Sequence, residues 1–179
     1  ELAGRTVVVN LSGRGDKDLA EALAALLAAD ALGFDTESKP TFAKGEASTG
    51  PHLVQLATDD AAYLFQIGAS PSVEVLRAVL ESHLILKVGF GLTDDVRRLR
   101  SKLGIELNNV LDLSTALRRG ERNTLGAKTA VARFFGQRLQ KSKKITTTNW
   151  ALPRLSEKQI LYAADDAHVA LRVYRRWRQ

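Results

Sequence analysis

Apolar positions along this chain switch between two periods. Thr6 to Leu11 (Thr-Val-Val-Val-Asn-Leu) is a β-branched run of the kind that forms a strand. After a Ser12 to Gly15 turn, Leu19, Leu23, Leu26 and Leu27 recur at helical spacing, predicting a helix from Asp16, which can cap it, to about Ala29. Leu32 to Ser38 reads as a second strand. Lys39 to Pro51, rich in Gly, Pro, Ser and Lys, reads as a mobile loop leaving it. His52 to Thr58 and Ala62 to Ile67 are the next strands, joined by the turn Asp59-Asp60-Ala61 and completing an antiparallel meander. An amphipathic helix over Ser72 to Ser82, a buried strand over Leu84 to Phe90, a helix over Thr93 to Leu103 and a short strand near Asn109 to Leu113 follow. The remainder is helical, roughly Asn123 to Phe135 and then Glu157 to Trp177. Antiparallel strands first and strand–helix alternation afterwards predict an α/β fold, a mixed sheet with helices on its faces.

Composition narrows the class. A chain of 179 residues suits one domain, 1–179, with a sizeable core. With 45% hydrophobic and 26% charged residues it is an ordinary globular chain, and its formal net charge of +6 favours a polyanionic partner. The absence of cysteine excludes a disulfide framework and a thiolate metal site, which fits a reducing, intracellular compartment such as cytoplasm or nucleus. No 18-residue apolar run or signal-peptide pattern is present, so no membrane segment is expected. The chain starts at Glu1 and contains no methionine, as an excised domain would.

Three acidic clusters interrupt the apolar pattern. Asp35 and Glu37 sit one residue apart on the second strand, so alternation puts both carboxylates on one face, roughly 7 Å apart by the strand rise. Paired carboxylates repel unless a cation lies between them, although Asp-x-Glu is also commonplace where a strand edge meets solvent. Asp94 and Asp95 follow the glycine-bearing exit Val88-Gly89-Phe90-Gly91-Leu92, with Thr93 a reasonable N-cap. Acids in a first helical turn are common for dipole reasons alone. Tyr162 and Asp166 are four apart on the last helix and share a face, with small Ala163, Ala164 and Ala167 around them, while Asp165 points about 100° away.

Taken together, Asp35-x-Glu37, then Val88-Gly-x-Gly-x-x-x-Asp95-x-x-x-Leu99, then Tyr162-Ala-Ala-x-Asp166 closely resemble the DEDDy 3′–5′ exonucleases. The Werner-syndrome-type exonuclease domain and RNase D are the nearest members. His52-Leu-Val-Gln-Leu56, Asn149-Trp150 and Leu155-Ser-Glu-x-Gln-x-x-Tyr162 extend the likeness, which covers residues 30 to 177.

The resemblance implies an RNase H-like exonuclease fold with a central mixed sheet of five to six strands flanked by helices. It implies metal-dependent hydrolysis of phosphodiester bonds from nucleic-acid 3′ ends, releasing nucleoside 5′-monophosphates. Asp35, Glu37, Asp95 and Asp166 would hold two divalent ions, Mg²⁺ or Mn²⁺, with Asp35 shared, and Tyr162 would orient the attacking water. Hard cations of this kind take oxygen ligands, which four carboxylates supply without His or Cys. Arg97, Lys143 and Lys144 are candidate nucleic-acid contacts, as are Arg138 and Lys141. Trp150 is either a base-stacking residue or a buried anchor.

Three departures stand out: Ser38 where relatives often carry an aromatic, Arg97 where the Werner-type domain has Trp, and alanines in Gly126-Ala127-Lys128-Thr129-Ala130 where leucines are favoured. DNA is slightly favoured as substrate, with RNase D-like trimming of RNA 3′ ends as the alternative. A non-catalytic nucleic-acid-binding module on the same fold typically loses one or more acids, and here all four and Tyr162 remain. A dinucleotide-binding domain fails because no Gly-x-Gly-x-x-Gly follows the first strand and opens a helix.

Overall fold

The computed structural model describes residues 7–11, 16–68 and 70–179. Thr6, the Ser12 to Gly15 turn and the capping side chain of Asp16 lie outside the described residues. The elements are β1 (Val7–Asn10), α1 (Asp16–Leu27), β2 (Ala31–Glu37), β3 (Leu53–Ala57), β4 (Ala61–Gln66), α2 (Ser70–Leu80), β5 (Leu86–Gly89), α3 (Thr93–Leu103), β6 (Val110–Asp112), α4 (Leu113–Ala116), α5 (Ala127–Phe135), α6 (Lys143–Thr146) and α7 (Glu157–Trp177). The strands form one six-stranded mixed sheet in the order β1-β4-β3-β2-β5-β6. β2, β3 and β4 are the antiparallel meander, and β1, β5 and β6 join in parallel. This is the RNase H-like α/β arrangement.

Alternation along β2 decides which side chain meets which layer. Leu32 and Phe34 point into a core built with Leu19 and Leu26 of α1, Leu76 and Leu80 of α2, and Leu99 of α3. The other face, with Ala31 of β2 and Val88 of β5, meets Val131 of α5 and Val169, Ala170 and Val173 of α7. α7 runs across β2, β3, β4 and β5. Its close approach has a local cause: a Cβ on Gly33 would collide with the Ala167 carbonyl, so the helix backbone rests on the strand where no side chain intervenes. Further along, Ala164 and Ala167 pack on Ala57 and Ala62, which extends the same small-residue seam.

The sequence expectations need five corrections. The strand begins at Leu86, because Leu84 is 90% exposed and belongs to the connection after α2. α5 begins at Ala127 rather than Asn123, since Gly126 is extended and serves as its N-cap. Thr93 is not the N-cap of α3: Leu92 holds that position, and the Asp112 carboxylate accepts from the backbone N–H groups of Gly91 and Leu92. α4 and α6 are one-turn helices within stretches that carry no periodic signal, each started by a side-chain cap, Asp112 for one and Ser142 for the other. α7, by contrast, opens on a capping box in which Ser156 and Gln159 satisfy each other's backbone N–H, a spacing visible in the sequence.

Lys87 on β5 is fully buried, and its ammonium donates to the carbonyls of Ser82 and Val79 at the C-terminal end of α2. Burial lowers its pKa to about 8. Among the described residues, no helix is long and apolar enough to cross a membrane.

The Gly33 seam yields a direct test. Gly33→Ala should destabilise the fold by about 1–3 kcal/mol, because the added methyl meets helix backbone rather than a movable side chain. Denaturant unfolding measures this; unchanged stability would mean that α7 does not rest on β2 as described.

Candidate active site

β2 delivers Asp35 and Glu37 from the face that α7 covers, and α7 delivers Asp166 to meet them. One carboxylate oxygen from each lies within 4.8 Å of the others. Glu37 is buried at 8% exposure, and the side chain of Asp166 is 7% exposed. Gln55, the cross-strand partner of Asp35 on β3, is fully buried on the same side. Little water therefore reaches these charges to screen them.

Electrostatics records the crowding. Burial pushes the Asp35 carboxyl well above the ordinary range, and the charges of Asp166, Glu37 and Asp95 push it further. Glu37 is raised to about 8, first by burial and then by Asp166. Asp166 is also raised by burial, with Lys141 opposing the shift. A cluster of this kind holds protons in the absence of a strong cation.

Asp95 stands slightly apart. It is buried at the start of α3, where its carboxylate accepts a hydrogen bond from the Thr36 hydroxyl. Thr36 lies between the two strand acids and points to the opposite face, so β2 touches the acid of α3 on one side and that of α7 on the other. Neither Thr36 nor Asp112 carried a functional signal in the sequence. Asp112 terminates β6 and fixes the Gly91–Leu92 turn from which Asp95 is presented.

Tyr162 lies one turn before Asp166. Its hydroxyl is 2.6 Å from Thr146 Oγ1 on α6, and its ring is 6.0 Å from that of Trp150. Burial and then the Asp166 charge raise its pKa, so the phenol keeps its proton at neutral pH. Trp150 is only 1% exposed and donates through Nε1 to the Thr146 carbonyl. It is an anchor, with no open face on which a base could stack.

The remaining basic candidates divide sharply. Arg97 is exposed and paired with Asp94 at 2.8 Å. Lys143 and Lys144 are exposed on α6. Lys141 instead reaches into the cluster, where its Nζ is 3.2 Å from Asp166 Oδ1. His52, which had no assigned role, accepts at Nδ1 from the Lys39 backbone and pairs through Nε2 with Thr49, stapling the loop after β2 at its base.

The donor set fits a divalent cation. Three carboxylates converge, are shielded from water, and carry repulsion that one Lys side chain only partly offsets. Asp95 is near enough to raise the pKa of both Asp35 and Glu37, so it adds a fourth acid to the same electrostatic field.

Comparison with known proteins follows the same lines. A family described as 3′–5′ exonuclease matches residues 14–178. The chain is 29% identical over 150 residues to the bifunctional 3′–5′ exonuclease/ATP-dependent helicase WRN of Mus musculus, covering 82% of this chain and 11% of that protein. It is likewise 29% identical over 150 residues to a 3′–5′ exonuclease of Arabidopsis thaliana, covering 80% of this chain and 51% of that one. The chain thus spans about a tenth and about half of these two relatives. Among solved structures, RNase D of Trypanosoma brucei in complex with RNA U12 superposes with a TM-score of 0.82 at 22% identity, over 96% of this chain and 62% of that one, a likeness of fold.

The raised acids have a consequence for stability. Between the ordinary Glu value of 4.5 and the folded value of about 8, Glu37 is protonated when folded and ionised when unfolded. The unfolded state therefore binds fewer protons in this window, and the contribution of Glu37 falls as pH rises through it. In chelator, the Tm difference Glu37→Gln minus parent should be greater near pH 8 than near pH 5. Each kcal/mol corresponds to about 2–4 °C for a chain of this size. A difference unchanged with pH, by calorimetry, would refute the shift.

Proposed function

This chain belongs to the DEDDy 3′–5′ exonuclease family, a family of hydrolytic nucleases, and from that premise we propose that it removes nucleotides from nucleic-acid 3′ ends as nucleoside 5′-monophosphates, using two divalent ions, Mg²⁺ or Mn²⁺. The observation that carries the reading is the convergence of Asp35, Glu37 and Asp166, with Tyr162 one turn from Asp166. Asp35, Glu37, Asp95 and Asp166 would hold the ions. The bound ions would acidify the attacking water and take up charge on the phosphate and leaving oxygen.

The protein's own side chains do the rest. Tyr162, kept protonated, would orient the attacking water by hydrogen bonding, and Thr146 holds its hydroxyl in place. The separation of roles follows from pKa: a phenol above its ordinary value near 10 is a poor base at neutral pH. Arg97, Lys143 and Lys144 are exposed cations suited to the sugar-phosphate backbone, giving affinity that falls with salt.

DNA is the first substrate of this reading. The fold shared with an RNase D solved with RNA supports RNA 3′-end trimming as the second. Both use the same acids, so the polymer is decided by contacts to the sugar rather than by the hydrolytic machinery.

Matched 5′-labelled DNA and RNA strands, single-stranded and 3′-recessed, test the reading on a gel with Mg²⁺ or Mn²⁺ beside a chelator control. A ladder shortening from the 3′ end should appear only with metal, and the faster polymer names the substrate class. Asp35→Ala should abolish it, and Tyr162→Phe should lower kcat by about 10²-fold. Intact strands in every lane, with a folded protein that still binds them, would leave a binding module on the exonuclease fold.

A further inference from the structure

Lys141 is held between two fixed points on the segment joining α5 to α6. Leu139 packs against the apolar cluster beneath α7, and Ser142 caps α6. Between them Lys141 turns its half-buried four-carbon stem inward, whereas its neighbours Arg138 and Gln140 are exposed. Its Nζ lies 3.2 Å from Asp166 Oδ1 and 6.0 Å from the centre of the Tyr162 ring, and its charge also opposes Glu37 and Asp35.

A protonated ammonium has three donors and no lone pair, so it cannot join a metal's ligand sphere. It can only compete with a metal for the same carboxylate oxygens. A pocket of about 240 Å³, lined by Ser142, Ile145, Tyr162, Asp165 and Lys158 among others, opens beside Asp166 and leaves room for the ammonium to move off the carboxylate. At 32% exposure the Lys141 side chain already borders solvent, so an ammonium leaving Asp166 exchanges the ion pair for hydration.

We propose that Lys141 is a built-in counter-ion of the acid cluster, seated on Asp166 without metal and displaced from it when a divalent ion binds. This rests on the metal-binding reading of the cluster. It separates two tasks that one cation site would otherwise merge: keeping buried carboxylates together without metal, and yielding their lone pairs when metal arrives. A lysine suits both, because a compact ammonium on a flexible stem can leave without moving the backbone, whereas a bidentate guanidinium would bind a carboxylate more firmly.

Titration of the folded protein with Mn²⁺ alone, without nucleic acid, tests the exchange by calorimetry. Lys141→Met should bind Mn²⁺ about tenfold more tightly than the parent, the scale of one charge-assisted hydrogen bond removed from the competitor. Lys141→Arg, which keeps the charge, should bind no more tightly than the parent. In chelator, Lys141→Met should melt below the parent, and saturating Mn²⁺ should raise its Tm by more than it raises the parent's. Equal or weaker Mn²⁺ binding by a folded Lys141→Met would overturn the counter-ion role while leaving the metal site intact. A parent that binds no Mn²⁺ at all would overturn the metal-binding reading and this one with it.

Discussion

Carboxylates withdrawn from water repel one another, and everything near the centre of this protein is arranged around three that are forced together. Asp35, Glu37 and Asp166 each bring an oxygen within 4.8 Å of the others in a poorly hydrated site. Such a grouping costs stability, as the upward shifts of all three carboxyls record. It persists because the scaffold gives it no room to relax. β2 is paired with β3 on one side and with β5 on the other, and α7 is seated directly on Gly33. The local cost and the proposed function have one origin, since crowded carboxylates that Lys141 only partly offsets are what attract a divalent cation.

The central strand works on both faces. Asp35 and Glu37 face α7, while Thr36 between them reaches the acid at the start of α3. Four acids from three elements are thereby referred to one strand. Any shift of α7 or α3 against β2 would change their spacing, so the packing of two helix layers governs the geometry of the site. Asp112 adds to this control at the start of α3, where its carboxylate fixes the turn that precedes Asp95.

A second unit, from Leu139 through Gln159, sets the surroundings of Tyr162. Thr146 receives or donates the hydrogen bond with the tyrosine hydroxyl, and its carbonyl accepts from Trp150. Gln159 donates to Thr148 and to the Asn149 carbonyl while also completing the cap of α7. Lys141 arrives on the same unit. The ammonium that offsets the acids and the hydroxyl that positions the phenol therefore ride on one short stretch of chain, which ties the charge of the site to the orientation of its aromatic residue.

How much of this was legible depended on whether the cause was local. Short apolar runs bounded by turn residues identified β2, β3 and β4 to within a residue at each end, and the amphipathic pattern identified α3 and α7, because both kinds of segment carry their burial in local sequence. The ordered acids and the Tyr162 to Asp166 spacing sufficed to recognise the 3′–5′ exonuclease family, since intervals within one strand or one helix are fixed by backbone geometry. The one-turn helices α4 and α6 left no such trace, for a single cap creates each. The role of Gly33, the bond between Thr36 and Asp95, the hold of Asp112 on the α3 turn and the seat of Lys141 on Asp166 join residues 20 to 134 positions apart. No periodicity encodes such pairs. The sequence by itself determined which acids the chain carries and which face of each element presents them; only the tertiary structure decided which of them meet and which cation stands against them, because contact across layers is set by packing rather than by local spacing.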